Sequence, residues 1–293
     1  MTFEKYNEIN IKLGLQYSKT VMKEYAKSFY FANKLLPKDK REASYSVYTF
    51  CRYADNIVDN PRKRESFEIV NEINALKNEL ELAYKYGESE HPALSAFVYY
   101  ATKYKIPKEY PFDLLDGVMM DTTHNSYDNF DELYVFCYKV ASVVGLMMTY
   151  VLGFKDDNAL IYAEKMGIGM QLTNILRDIK EDKKNNRIYL PKSDLKEFNV
   201  SEEDIYNENF NDNFKKLIQY YIDKAESYYI DSYNGIPLLH KDARFSIITA
   251  GRIYAEILSN IKENDFNPFG ERVYVSKNKK YSIMLQEILN FKR

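Results

Sequence analysis

Apolar positions along this chain recur mostly at intervals of three and four. Ile69, Ile73, Leu76, Leu80 and Ala83 form one such series, the spacing of one face of an amphipathic helix. The same pattern runs from Asp39 to Asp59, through 62–86, and over roughly 92–105, 111–124, 130–153, 157–180, 203–233 and 241–264. Pro61 is expected to stop the first of these segments and Gly87 the second. Few stretches alternate strictly, and no hairpin dipeptide joins two of them. "RVYVS", from Arg272, is a strand candidate. The pattern predicts an all-α fold of long helices. No low-complexity linker divides the chain, so residues 1–293 are expected to form a single domain.

The most apolar run is Val140–Phe154, "VASVVGLMMTYVLGF". Its 15 residues fall short of the ~20 that span a bilayer, so a buried core helix is predicted. The first residues, "MTFEKYNEINIK", are polar and charged, unlike a signal peptide.

Composition changes this picture little. The chain has 293 residues, 45% hydrophobic and 29% charged, with a net charge of −2. That is ordinary for a globular protein, and the lack of basic excess argues against nucleic-acid binding. Cys51 and Cys137 are too far apart for a zinc motif or a disulfide framework, which fits a reducing cytosol. His91, His124 and His240 belong to no ligand pattern and are expected to be structural or on the surface. The 28 tyrosines and 17 phenylalanines can fill a core or line an apolar pocket.

The candidate chemistry lies in "QLTNILRDIKED", residues 171–182. Asp178 and Asp182 are four apart, where like charges repel by roughly 0.2–0.5 kcal/mol in an isolated helix. Gln171, Asn174, Asp178 and Asp182 fall at about 0°, 300°, 340° and 20° on a helical wheel. Leu172, Ile175, Leu176 and Ile179 flank that stripe, so it is expected to be half-buried. Buried carboxylates need compensating charge, and a hard divalent cation such as magnesium supplies it through oxygen ligands. "YTFCRYADNIVD" repeats the arrangement with Asp55 and Asp59, preceded by Arg52 and Tyr48. Two acidic rows, each with an arginine beside it (Arg52, Arg177), point to a diphosphate held by metal and by forked guanidinium bonds. No glycine-rich phosphate loop is present. A leaving-group diphosphate on a hydrocarbon substrate fits an apolar helical bundle.

These residues resemble the squalene/phytoene synthase family of head-to-head prenyl synthases. "KSFYFANKLLPKDKREASYSVYTFCRYADNIVD" is similar to the family's N-terminal tract and first aspartate motif. "GMQLTNILRDIKEDKKNNRIYLP" is similar to its second aspartate motif. "GVMMD", "CYKVASVVGLM", "RIYAEIL" and "ERVYVSKNKK" match further blocks in the same order. The resemblance implies an isoprenoid-synthase helical bundle around a central hydrophobic cavity. It implies that Asp55, Asp59, Asp178 and Asp182, with Asn174, bind Mg²⁺ and diphosphate. Arg52, Arg177, Tyr254 and Arg272 match diphosphate contacts. Ser28, Phe29, Tyr48, Val140, Val144 and Gln171 match positions near the allyl groups or the tunnel wall.

The implied reaction joins two prenyl diphosphates through a cyclopropylcarbinyl diphosphate. Without NADPH, proton loss leaves a central double bond, as in dehydrosqualene or phytoene; with NADPH the product is squalene. Asn33, small and polar, and Tyr45, bulky, lie where the family varies the tunnel. The expected substrate is farnesyl diphosphate, giving dehydrosqualene for carotenoid biosynthesis, without NADPH. Geranylgeranyl diphosphate giving phytoene is the alternative. A prenyl diphosphate phosphatase and a non-catalytic assembly partner are further readings, both disfavoured by two intact aspartate motifs. A cytoplasmic enzyme is expected, with transient membrane contact to release the hydrocarbon.

Overall fold

The structure is a computed structural model that describes residues 3–59, 64–123 and 126–291. Pro61 and His124 lie outside the described residues. Among those residues there are helices and no strand; a single bridge pairs Phe154 with Leu239. The chain begins with α1 (Phe3–Tyr25) and the short α2 (Lys27–Asn33). Next come α3 (Lys38–Asp59), α4 (Ser66–Tyr86), α5 (Pro92–Lys103) and α6 (Glu109–Thr123). After α7 (Phe130–Cys137), a π-turn at Tyr138–Ser142 leads into α8 (Val143–Leu152). The long α9 (Asn158–Asp182) comes next, then two short helices, α10 (Lys192–Glu197) and α11 (Glu202–Tyr206). The chain finishes with α12 (Asp212–Ser232), α13 (Lys241–Glu263) and α14 (Lys277–Phe291).

Local chemistry sets several boundaries. Glu65 and Glu68 form a capping box at the start of α4, and Gly87 ends that helix in the left-handed region at φ 72°, where a side chain would be strained. The periodic segment 203–233 is interrupted: Glu208 takes φ 57°, and Asn211 then caps α12 by accepting from the Asn213 and Phe214 amides. "RVYVS" forms no strand, and no strand lies beside it among the described residues. The initial residues, polar in sequence, form α1, which packs on α3 and α5.

Two large apolar clusters make most of the core. One gathers α3, α4, α5, α6 and α8 around Phe50 and Phe97, stacked 4.3 Å apart. The other gathers α9, α12 and α13 around Leu172, Phe214 and Tyr221. Tyr138, in the π-turn, packs against both. The continuous run Phe130–Leu152 is long and apolar enough to cross a bilayer, yet half of its most apolar window is buried inside the protein. Val143, Met147 and Val151 belong to the core, as the Val140–Phe154 run predicts.

Close approach of the π-turn to α9 depends on Gly167. A Cβ there would stand 2.5 Å from Ser142 Cα, so no other residue fits without moving backbone. Ser142 Oγ then donates to the Glu164 carbonyl at 2.8 Å. Ala141, inside the π-turn, and Val144, just beyond it, line the central cavity.

Candidate active site

α3 and α9 both end at the same place. On α3, Tyr48, Arg52, Asp55 and Asp59 succeed one another towards the C-terminus; on α9, Gln171, Asn174, Asp178 and Asp182 do the same. Below these rows lies a cavity with about 980 Å³ of empty space, counting its mouth. Its walls hold Phe29, Val47, Tyr48, Val144, Met148 and Met166, with the small Gly145, Ala163, Gly167, Gly235 and Ala250 between them. The lining side of α9 from Met170 to Ala159 runs for about 17 Å. Asn33 and Ser44, polar groups in this wall, satisfy each other through a 2.6 Å hydrogen bond.

Arg187, in the loop after α9, ties the rows together. Its amide donates to the Asp182 carbonyl at 3.0 Å, and its guanidinium stands 3.5 Å from the Asp59 carboxylate and 3.9 Å from that of Asp121. Asp121, from α6, also accepts from the Tyr189 hydroxyl at 2.9 Å. The two acidic rows are therefore within one arginine side chain of each other, with a fifth carboxylate between them.

The carboxylates crowd each other. Burial raises Asp55 to about 7, helped by the charges of Asp59 and Asp121 and opposed by Arg52. Burial raises Asp182 to about 8, with Asp178 and Asp121 adding to it and Arg187 opposing. Asp121 is raised to about 6 by burial, against Arg187 and the Tyr189 hydrogen bond. Asp178 goes the other way: burial pushes it up, but guanidinium bonds from Arg177 and Arg272 outweigh burial and hold it low. Arg177 Nε donates to one oxygen of Asp178 at 2.8 Å, and Arg272 grips both oxygens at 2.8 and 3.0 Å.

Tyr254, from α13, donates to Asn174 Oδ1 and stacks on Phe29 with ring centroids 5.5 Å apart. Asn174 Nδ2 donates to Gln171 at 3.2 Å. Tyr48 is raised to about 12, chiefly by burial, and keeps its proton. Arg52 lies over the Tyr25 ring at 5.1 Å, with a buried Nε that has no hydrogen-bond partner among the described residues.

Of the residues singled out in the sequence, Phe29, Tyr48 and Val144 line the cavity; Arg177 and Arg272 meet on Asp178, Tyr254, Asn174 and Gln171 form one hydrogen-bonded chain, and Arg52, Asp55, Asp59 and Asp182 join them through charge interactions along the two rows. Ser28, on α2, does not line it, and Val140 lies instead against Gly117 of α6. Sequence reasoning passed over Asp121, Arg187 and Tyr189. The signal was present, since "GVMMD" ends on Asp121 and "NNRIYLP" contains the other two. No periodic stripe marks a single aspartate or a loop arginine, however.

Residues 22–279 match the squalene/phytoene synthase family, and the chain belongs to it. It is a prenyltransferase, of the family that condenses prenyl units head to head. It is 36% identical over 264 residues to a 15-cis-phytoene synthase of Synechococcus elongatus, covering 86% of this chain and 84% of that protein. It is 32% identical to a 4,4'-diapophytoene synthase of Staphylococcus haemolyticus, covering 92% and 94%. A dehydrosqualene synthase crystal structure superposes with a TM-score of 0.90 at 28% identity, covering 98% of this chain and 99% of that one.

Proposed function

We propose that the protein condenses two farnesyl diphosphates to dehydrosqualene without NADPH, using magnesium held at the mouth. The observation that carries this reading is the meeting of two acidic rows over one apolar cavity. Asp55, Asp59, Asn174, Asp178 and Asp182, joined by Asp121, would hold the metal. The donor set fits: every donor is a hard oxygen, and the raised carboxyls of Asp55 and Asp182 mark a site short of positive charge. Among the described residues no three carboxylates close on one point. That suits magnesium, which fills its sphere with phosphate oxygens and water.

When bound, the metal supplies Lewis-acid pull on the departing diphosphate. Arg52, Arg177 and Arg272 would take its oxygens in forked hydrogen bonds. As Arg177 and Arg272 turn to the diphosphate, the Asp178 carboxylate that they now grip becomes free to ligate. C1 of the first substrate loses diphosphate and is attacked by the C2–C3 double bond of the second, which leaves a cation at C3; that C1 then gives up a proton to the released diphosphate, and its C–H electron pair closes the cyclopropane onto C3. The second diphosphate then leaves, C1 joins C1′, and a proton departs to leave the central double bond. Phe29, Val144 and Met148 keep water from trapping the cations.

Chain length is read from the wall behind Phe29. Tyr45 is buried with Met22 and Ala26 and stacks on Tyr30 at 5.8 Å, which limits depth and supports the fifteen-carbon substrate. Asn33, small in the same wall, and the 36% identity to a phytoene synthase favour geranylgeranyl diphosphate as the second reading. Purified protein is incubated with Mg²⁺ and each diphosphate, with and without NADPH. A C30 hydrocarbon with a central double bond upholds the proposal, and a C40 product establishes the second reading. Squalene formed only with NADPH, farnesol alone, or unchanged substrate each refutes it.

A further inference from the structure

α14 turns the wrong side outwards for a helix that belongs wholly to a core. Ile283 and Glu287 face inwards, the latter 3.7 Å from Arg252. Opposite them Tyr281, Leu285 and Leu289 are 53%, 57% and 65% exposed. Spaced at i, i+4 and i+8, they share an arc of about 80° along a helix about 22 Å long. Met284 and Ile288 are half-buried beside them. Single exposed apolar residues are ordinary, but a contiguous stripe marks a contact surface.

Lysines frame the stripe. Lys279 pairs with Glu256 at 2.7 Å, but Lys277, Lys280 and Lys27 have no carboxylate partner among the described residues. Lys280 and Lys27 are close enough to repel, and Lys280 is held below its ordinary value by burial and by that neighbouring charge. The stripe also leads towards the cavity. Tyr281 meets the Phe31 ring edge-on at 5.1 Å, and Phe31 shares α2 with Phe29, which lines the hollow.

We infer that the exposed face of α14, with Lys27, Lys277 and Lys280, seats the protein on a lipid surface carrying anionic headgroups. Helices with one apolar face and a basic border lie in the plane of a bilayer interface, and lysines at that depth attract acidic lipids. A second copy of the chain suits the face poorly. α14 has one carboxylate, Glu287, and it is turned inwards, so a two-fold pairing through the stripe would give these lysines no partner. The purpose rests on the proposed function, because a long hydrocarbon leaving the cavity needs an apolar phase. The docking itself is measured without turnover.

The test is flotation with vesicles of phosphatidylcholine alone or mixed with phosphatidylglycerol, at low and high salt. Wild-type protein is expected to float with the anionic vesicles and to be released by salt. L285S/L289S should lower the bound fraction at least five-fold. K27Q/K277Q/K280Q should abolish the preference for phosphatidylglycerol. Unchanged melting temperatures confirm that the variants are folded, and hydrocarbon synthesis in detergent should match wild type. Equal flotation of wild type and L285S/L289S overturns the inference, as does wild-type protein that stays unbound. A wild-type dimer in light scattering that L285S/L289S splits assigns the face to a second copy and also overturns it. If wild-type protein makes no hydrocarbon in detergent, the proposed function fails while flotation still judges the surface.

Discussion

Asp178 shows how little one residue's chemistry can be read from its type. Its carboxylate is clamped by two guanidiniums, so Asp178→Asn removes both the anchor of Arg177 and Arg272 and the charge proposed to ligate the metal. Turnover should fall at least ten-fold with the melting temperature nearly unchanged; steady-state kinetics beside a thermal melt check both. Arg187 makes the complementary case. Arg187→Met removes the cation that opposes burial at Asp121 and Asp182, so more of these two stay protonated at neutral pH. The pH at which kcat/KM reaches half its maximum should move upwards by about one unit, in keeping with an opposite charge a few ångströms away. A pH–rate profile of the variant tests it.

At the scale of elements, α9 carries most of the design, with its hydrophilic stripe at one end and its hollow-lining face at the other. The fit of α9 to the π-turn is tight at Gly167, and Gly167→Ala should cost about 1–3 kcal/mol by overpacking, measurable by urea denaturation. Both aspartate helices could be found from sequence because carboxylates four apart among apolar residues leave a periodic trace. The π-turn could not, since its extra residue is set by tertiary packing between α6 and α9 and leaves no mark in the apolar spacing. The break at Glu208 and Asn211 was hidden for a related reason: a left-handed residue and a polar cap interrupt a helix without Gly or Pro. A matching sequence block does not give a side chain's direction: Val140 lies against Gly117, whereas Ala141 and Val144 line the cavity.

For the whole molecule, the crowded carboxylates make stability depend on pH. In the unfolded chain an aspartate titrates near 3.9, whereas Asp121, Asp55 and Asp182 titrate at about 6, 7 and 8 when folded. The native state therefore binds more protons than the unfolded state between those limits, and stability falls as pH rises. Metal-free protein should melt at a lower temperature at pH 8.5 than at pH 5.5, and Asp182→Asn should flatten the upper part of that slope. Scanning calorimetry across the range reads both effects. Depth is also a property of the whole bundle. Tyr45→Ala should open the wall behind Met22 and raise the ratio of C40 to C30 product when both diphosphates are offered, as measured by chromatography of the hydrocarbons.

α3 ends on Asp59 and α9 on Asp182, so two macrodipoles place their negative poles where the aspartates already stand. Such a doorway repels a naked polyanion. Calorimetric titration with a non-ionising thio-analogue of the prenyl diphosphate should give weak affinity in chelator and strong affinity once divalent ions are restored, the outcome expected if cations gate substrate capture.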